Sequence, residues 1–180
     1  MRARLTIPLT ARDHVLGPAD APVTLIEYGD FECPYCAAAH VIIKKVLEIM
    51  SDQLRFAFRH FPLTQIHPHA ESAAEASEAA GAQGQFWEMH DLLFENQPML
   101  DPPHLVAYAQ ELGLDLKRFV RELEEGVYRQ RVREDFLGGV RSGVNGTPAF
   151  FINGDRYDGS WDIAPLITAL ERAASVAEVR

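Results

Sequence analysis

Val23-Thr24-Leu25-Ile26-Glu27-Tyr28-Gly29-Asp30-Phe31-Glu32-Cys33-Pro34-Tyr35-Cys36 is the stretch on which the reading of this chain turns. Its first six residues are mostly apolar and β-branched, the pattern of a short buried strand. Gly29 to Glu32 form a loop. Pro34 suits a first helical position, where its fixed φ fits and its missing N–H would have had no partner. The helix then runs to about Met50 on apolar Val41, Ile42, Val46, Leu47 and Ile49. The only two cysteines of 180 residues thus stand three apart at the head of a helix that follows a strand. A thiol pair so placed can close a disulfide and open it again without refolding the chain.

Working outward, Leu54-Arg55-Phe56-Ala57-Phe58-Arg59-His60 alternates and reads as a second strand. Residues 66–143 change character and are rich in Ala, Glu, Gln and Leu. Helices are expected at about 67–82, 84–96, 102–112, 115–125 and 127–142, punctuated by Gly81, Gly84, Pro98, Pro102, Pro103, Gly113 and Gly126. Gly138-Gly139 is a weak point in the last of them. Strands return at Pro148-Ala149-Phe150-Phe151-Ile152. Asn153-Gly154 signals a type I′ hairpin turn, and Asp155 to Asp158 follow as a short strand. A final helix begins at Asp162-Ile163-Ala164-Pro165 and runs to about Ala177. Residues 1–22 read as extended, ending in the turn-rich Gly17-Pro18-Ala19-Asp20-Ala21-Pro22. The order is β-α-β, a helical block, then β-β-α. Such a block is too long for a connection. The expected organisation is an arm at 1–12, an α/β domain at 13–65 and 144–178, and an inserted helical subdomain at 66–143.

Hydrophobic residues make up 47% of the chain, ample for a core, and the formal net charge is −9. No Lys/Arg cluster interleaves with aromatics, so a nucleic-acid partner is not expected. No run approaches the 18 or more apolar residues of a membrane helix, so no membrane partner is expected either. Met1 to Thr10 carry basic residues but no apolar core of a signal peptide, and Arg12, Asp13 and His14 follow. That reading places the protein in the cytoplasm, where a Cys-x-x-Cys pair is redox-active or metal-binding, with an exported form whose signal has been removed as the alternative.

Four pieces in order carry a family resemblance. Phe31-Glu32-Cys33-Pro34-Tyr35-Cys36 resembles the active-site motif of the DsbA-like branch of the thioredoxin superfamily. Gly146-Thr147-Pro148-Ala149-Phe150-Phe151-Ile152-Asn153-Gly154 resembles its cis-proline strand and hairpin. Arg59-His60-Phe61-Pro62-Leu63 and Gln85-Phe86-Trp87-Glu88-Met89-His90 also resemble that branch. The resemblance spans about residues 13–175. It implies a thioredoxin fold, a central mixed sheet flanked by helices, with a large helical insertion, and a thiol–disulfide oxidoreductase.

Exchange begins when a thiolate attacks a disulfide sulfur. A free thiol is mostly protonated at neutral pH, but the N–H groups and positive dipole end of a helix start favour the thiolate. Cys33 is therefore expected to be the exposed nucleophile, and Cys36, one turn on and deeper, the resolving thiol. Pro34 and Tyr35 between them tune the pair and meet the substrate. Tyr35 offers a phenol where the strong oxidant DsbA carries a histidine, which argues against a strongly oxidising potential. Glu27, six residues before Cys33, resembles the buried acid of such enzymes and would move protons to and from the resolving thiol. The competing reading has Glu27 pointing outward at a strand end. Pro148 resembles the cis proline that faces the dithiol in this fold. The backbone of Thr147 would pair with an extended substrate, and its hydroxyl can reach the sulfurs.

The implied substrates are protein or peptide thiols and disulfides, with glutathione, a thioredoxin system or a similar partner recycling the pair. No bound cofactor is expected, because the dithiol carries the two electrons. A non-catalytic binding or chaperone module and a zinc protein are the alternatives. No metal site is expected: His60, His67, His69 and His90 read as surface or capping residues, with His69 suited to cap a helix. Phe86, Trp87 and Leu93 read as core of the helical layer. Arg129, Arg131 and Arg133, among Glu134 and Asp135, read as a solvated helix face.

Overall fold

The structure, a computed structural model, describes residues 3–178. The chain divides into two compact units. The sheet unit takes the chain up to Gly29, Ala38–Arg59 and everything from Gly138 on. The helical unit takes Asp30–Ala37 and His60–Leu137. The Cys-x-x-Cys loop thus belongs to the helical unit, not to the strand that precedes it in sequence.

The sheet unit is built on β1 (His14–Leu16), β2 (Val23–Gly29), β3 (Leu54–His60), β4 (Ala149–Ile152) and β5 (Asp155–Tyr157). Their spatial order is β1-β3-β2-β4-β5, in the mixed sheet of the thioredoxin fold. β2 lies at the centre and is buried from Leu25 to Gly29, which explains why it reads as a continuous apolar run rather than an alternating one. It pairs antiparallel with β4, Tyr28 opposite Ala149 and Glu27 opposite Phe150. The ring of Tyr28 meets Phe151 edge-on at 5.8 Å. The helix α7 (Ile163–Glu178) packs on β2 and buries Leu166 and Leu170. Asn153 and Gly154 both have positive φ, 48° and 86°, as the type I′ turn between β4 and β5 requires.

Sequence reading missed β1, a three-residue strand that pairs antiparallel with β3, His14 opposite Phe58 and Leu16 opposite Phe56. It lies inside the stretch read as an extended arm. Three residues are too few for a periodicity to show. The arm itself is tied down. Leu5 N–H donates to the Gly154 carbonyl and Arg156 N–H to that of Ala3, so the edge of β5 is covered. Arg59 holds the rest: its guanidinium donates to the carbonyls of Ile7 and Pro8, to the Tyr28 hydroxyl and to both oxygens of Asp13. Both side chains of the Arg59–Asp13 pair are buried. Burial pushes the Asp13 carboxyl up, but Arg59 and the Thr10 N–H outweigh it and hold the carboxyl below its ordinary range.

The helical unit contains α2 (Ala70–Gly81), α3 (Phe86–Glu95), α4 (Pro102–Glu111), α5 (Leu116–Glu124) and most of α6 (Arg129–Arg141). The remaining helix, α1 (Pro34–Ile49), starts in this unit and continues in the sheet unit. Ala70, Ala73, Ala74, Ala76, Ala79 and Ala80 of α2 are all buried. Their small side chains let α3, α4 and α5 pack on it. Phe86 and Leu93 belong to this core, as expected, while Trp87 is half-buried.

Two further expectations need correction. α6 runs unbroken through Gly138-Gly139. A Cβ on Gly138 would lie 3.1 Å from Ile7 Cδ1, so this glycine makes room for the arm. Nor is α6 simply a solvated face: Asp135 is buried and Arg131 nearly so. Arg131 pairs with Asp135 and reaches Glu78, Asp135 accepts the His60 N–H, and His60 Nε2 meets Glu78 Oε1 at 2.8 Å. Sequence spacing alone could not show that α2 supplies the matching acid.

Candidate active site

Asp30 to Ala37 form the site's loop and the head of α1. Cys33 N–H donates to the Asp30 carbonyl at 3.1 Å, closing a turn. The Cys33 carbonyl accepts from Cys36 N–H at 3.0 Å and Ala37 N–H at 3.2 Å. Cys33 is therefore the N-cap of α1, and Cys36 sits in its first turn. That turn carries no acidic residue to oppose a thiolate. Pro34 and Tyr35 face outward, Tyr35 with 67% of its surface exposed.

Cys33 is not the exposed thiol that the sequence suggested. It is 4% exposed, and Cys36 is fully buried. The turn closed onto Asp30 draws residue 33 into the loop. Gln97 then seals it, its Nε2 donating to the carbonyls of both Phe31 and Cys33 at 2.8 Å. The outer surface of the motif is left to Pro34 and Tyr35. Phe31 is buried and packs its ring against Phe94 and His90.

Asp30 organises the loop. Its Oδ1 accepts the Glu32 N–H at 2.8 Å, an Asx turn. Its Oδ2 accepts the Leu63 N–H and meets His67 Nδ1, both at 2.8 Å. Its own N–H donates to Cys36 Sγ at 3.5 Å. Glu32 Oε2 accepts the His69 N–H at 2.7 Å. Sequence reasoning passed over Asp30 and Gln97 and took His67 for a surface residue. An Asp two residues ahead of a backbone N–H was the one readable signal, as an Asx-turn former. The partners at 63, 67 and 97 come from other segments.

The histidines have other work than capping. His67 pairs with Asp30 and His60 with Glu78. His90 is buried beside Asp91, its ring edge-on to Phe94. His69 does hold the N-cap position of α2, but its side chain makes no capping bond.

The sheet unit places the other candidates. Glu27 is 2% exposed near the end of β2, so it does not point outward. The position where a Cβ of Gly29 would stand is 3.2 Å from Glu27 Oε1. The Thr147–Pro148 bond is cis, immediately before β4, and both residues are half-buried. Since Tyr28 lies opposite Ala149, Glu27 and the cis bond sit at the same end of the β2–β4 pair.

Among known proteins, the family described as thioredoxin matches residues 9–172. The chain is 49% identical over 169 residues to "Na(+)/H(+) antiporter NhaA 1" of Salinispora arenicola, covering 94% of this chain and 26% of that protein. It spans about a quarter of the length of the curated relatives that it matches. Among solved structures, oxidised BdbD of Bacillus subtilis superposes with a TM-score of 0.87 at 24% identity, over 97% of this chain and 100% of that one. Alpha-DsbA1 of Wolbachia pipientis superposes with a TM-score of 0.83 at 23% identity, over 97% and 96%. These matches overturn the cytoplasmic address: the DsbA-like proteins work in an oxidising space outside the cytoplasm, where disulfides form and persist. No described helix is long and apolar enough to cross a membrane. The family match leaves only the two ends of the sequence outside it, and the chain belongs to the thioredoxin family, with the helix-inserted fold of its DsbA-like members.

Proposed function

We propose that this chain exchanges disulfides with protein or peptide substrates through Cys33 and Cys36. The observation that carries the reading is the placement of Cys33 as N-cap of α1 with Cys36 in the first turn. Cys33 attacks, forming a mixed disulfide, and Cys36 attacks the Cys33 sulfur to release the substrate thiolate. Glu27, a buried carboxyl, moves the proton of the resolving thiol. The backbone at Thr147 and Pro148 holds an extended substrate strand, and Pro34 and Tyr35 contact it.

A polypeptide substrate is favoured by the surface next to the dithiol. Tyr35, Ile66 and Met99 are 67%, 69% and 40% exposed. Ile66 sits between Leu63 and His67, which bind Asp30, and Met99 lies two residues from Gln97, which binds Cys33. Apolar side chains on three segments tied to one loop suit an unfolded chain. A small thiol such as glutathione, or a second dithiol protein, recycles the pair. Sodium–proton exchange, named for the relatives, stays with those longer proteins.

The test is a pair of variants offered a disulfide-containing peptide. Cys36→Ser should accumulate a stable mixed disulfide on Cys33, seen by intact mass, and Cys33→Ser should form none. Peptide binding that survives in Cys33→Ser, with no exchange by the wild type, would replace the enzyme with a binding module.

A further inference from the structure

We infer that Asp30 and His67 form a positioning pair for the resolving thiol Cys36. The inference rests on the disulfide-exchange reading and adds residues to it.

The chain of contacts is short and buried. The Asp30 backbone N–H is aimed at Cys36 Sγ, at 3.5 Å. Where that N–H points is set by the conformation of the Asp30–Cys33 turn. The Asp30 carboxylate is wholly buried and fixes that turn from three directions. It accepts from Glu32 N–H inside the turn, from Leu63 N–H, and from His67 Nδ1. A carboxylate only accepts, so the proton of the third bond sits on His67 Nδ1. His67 is the one side chain of the three donors. Its side chain is 16% exposed, so it can be changed without opening the core.

An N–H directed at a sulfur favours negative charge there. When the dithiol reduces a substrate, Cys33 thiolate attacks R–S–S–R′, the S–S bond breaks, and R′–S⁻ leaves. Cys36 thiolate then attacks Cys33 Sγ, a Cys33–Cys36 disulfide forms, and R–S⁻ leaves. Two electrons pass from the dithiol to the substrate. In the opposite direction, Cys36 thiolate is the leaving group when a substrate thiolate attacks Cys33. The Asp30 N–H acts on Cys36 in both directions, so the pair governs resolution or its reverse. The N–H is aimed at Cys36 Sγ, so the expected effect falls on resolution rather than on the first attack by Cys33.

The probe is oxidised glutathione mixed with the reduced full chain, quenched in acid and read by intact mass. In the wild type the glutathione adduct should appear and decay to the internal disulfide. His67→Ala should form the adduct at the wild-type rate and resolve it about ten-fold more slowly, the scale of one lost charge-assisted bond. His67→Asn places an amide N–H where Nδ1 stood and should restore the wild-type rate. Asp30→Asn, which offers a donor or a neutral oxygen in place of the carboxylate, should slow the same step. Resolution at the wild-type rate in His67→Ala would overturn the pair. So would an equal slowing of both steps, or a failure of asparagine to restore the rate. If the wild type forms neither adduct nor disulfide, the exchange reading itself fails.

Discussion

At the scale of single residues, we propose that the pair between the cysteines, Pro34 and Tyr35, tunes how strongly the disulfide oxidises. Tyr35 projects into solvent from the first turn of α1. A phenol there brings no positive charge to a neighbouring thiolate. A histidine can bring one, and a stabilised thiolate stabilises the reduced form. Tyr35→His should therefore raise the reduction potential. A tenfold change in the exchange constant corresponds to about 30 mV, and equilibration with glutathione buffers at pH 7 resolves that. A lower potential in the variant would show that position 35 acts through packing rather than charge. The cysteines were legible in the sequence because they are unique and stand at a helix start. Asp30 and Gln97 were not, because their roles are made by bonds to the 63–67 segment and to loop carbonyls. The burial of Cys33 was hidden for the same reason. A turn closed by backbone and a glutamine 64 residues away leave no local pattern.

At the scale of elements, strands and helices with a clear pattern were legible to within a few residues at each end. β2, β3 and the Asn153-Gly154 hairpin lie where the sequence put them. What escaped were features that depend on a distant partner: the three-residue β1, the use of Gly138 for clearance, and the burial of Arg131 and Asp135. Arg59 is the clearest example. It reads as the polar member of an alternating strand, yet it ties the arm to β3 through the carbonyls of Ile7 and Pro8 and pairs with buried Asp13. Asp13→Asn should cost about 3–5 kcal/mol at pH 7, because it leaves a buried guanidinium without its counter-charge. The pH dependence follows from the lowered carboxyl. Its folded value lies below the ordinary 3.8, so the pair contributes fully above that pH and loses its contribution as pH falls through the folded value. Urea unfolding of wild type and variant should differ most at neutral pH and converge as the pH drops below 3.8. A difference that stays constant down to pH 2 would mean that the carboxylate charge is not what Arg59 requires.

At the scale of the whole molecule, the dithiol and the fold are linked by one thermodynamic cycle. Reducing the folded chain and then unfolding it must cost the same as unfolding it first and reducing afterwards. The potential of the folded pair, relative to that of the unfolded pair, therefore equals a difference in stability between the two redox forms, about 1.4 kcal/mol for each 30 mV. An ordinary structural disulfide stabilises its protein by about 2–4 kcal/mol, because the cross-link restricts the unfolded chain. That restriction is small here, since only two residues separate Cys33 from Cys36. The folded state, in contrast, is expected to favour the dithiol: Cys33 caps a helix with no acid in its first turn, and Cys36 receives the Asp30 N–H. The reduced protein should accordingly melt above the oxidised one, by calorimetry of the two forms at pH 7. A fold that prefers its dithiol makes its disulfide a stronger oxidant than the same sequence unfolded, which points the exchange toward donating disulfides. Should the oxidised form melt higher, the fold would be holding its disulfide, and the same residues would serve a reductase.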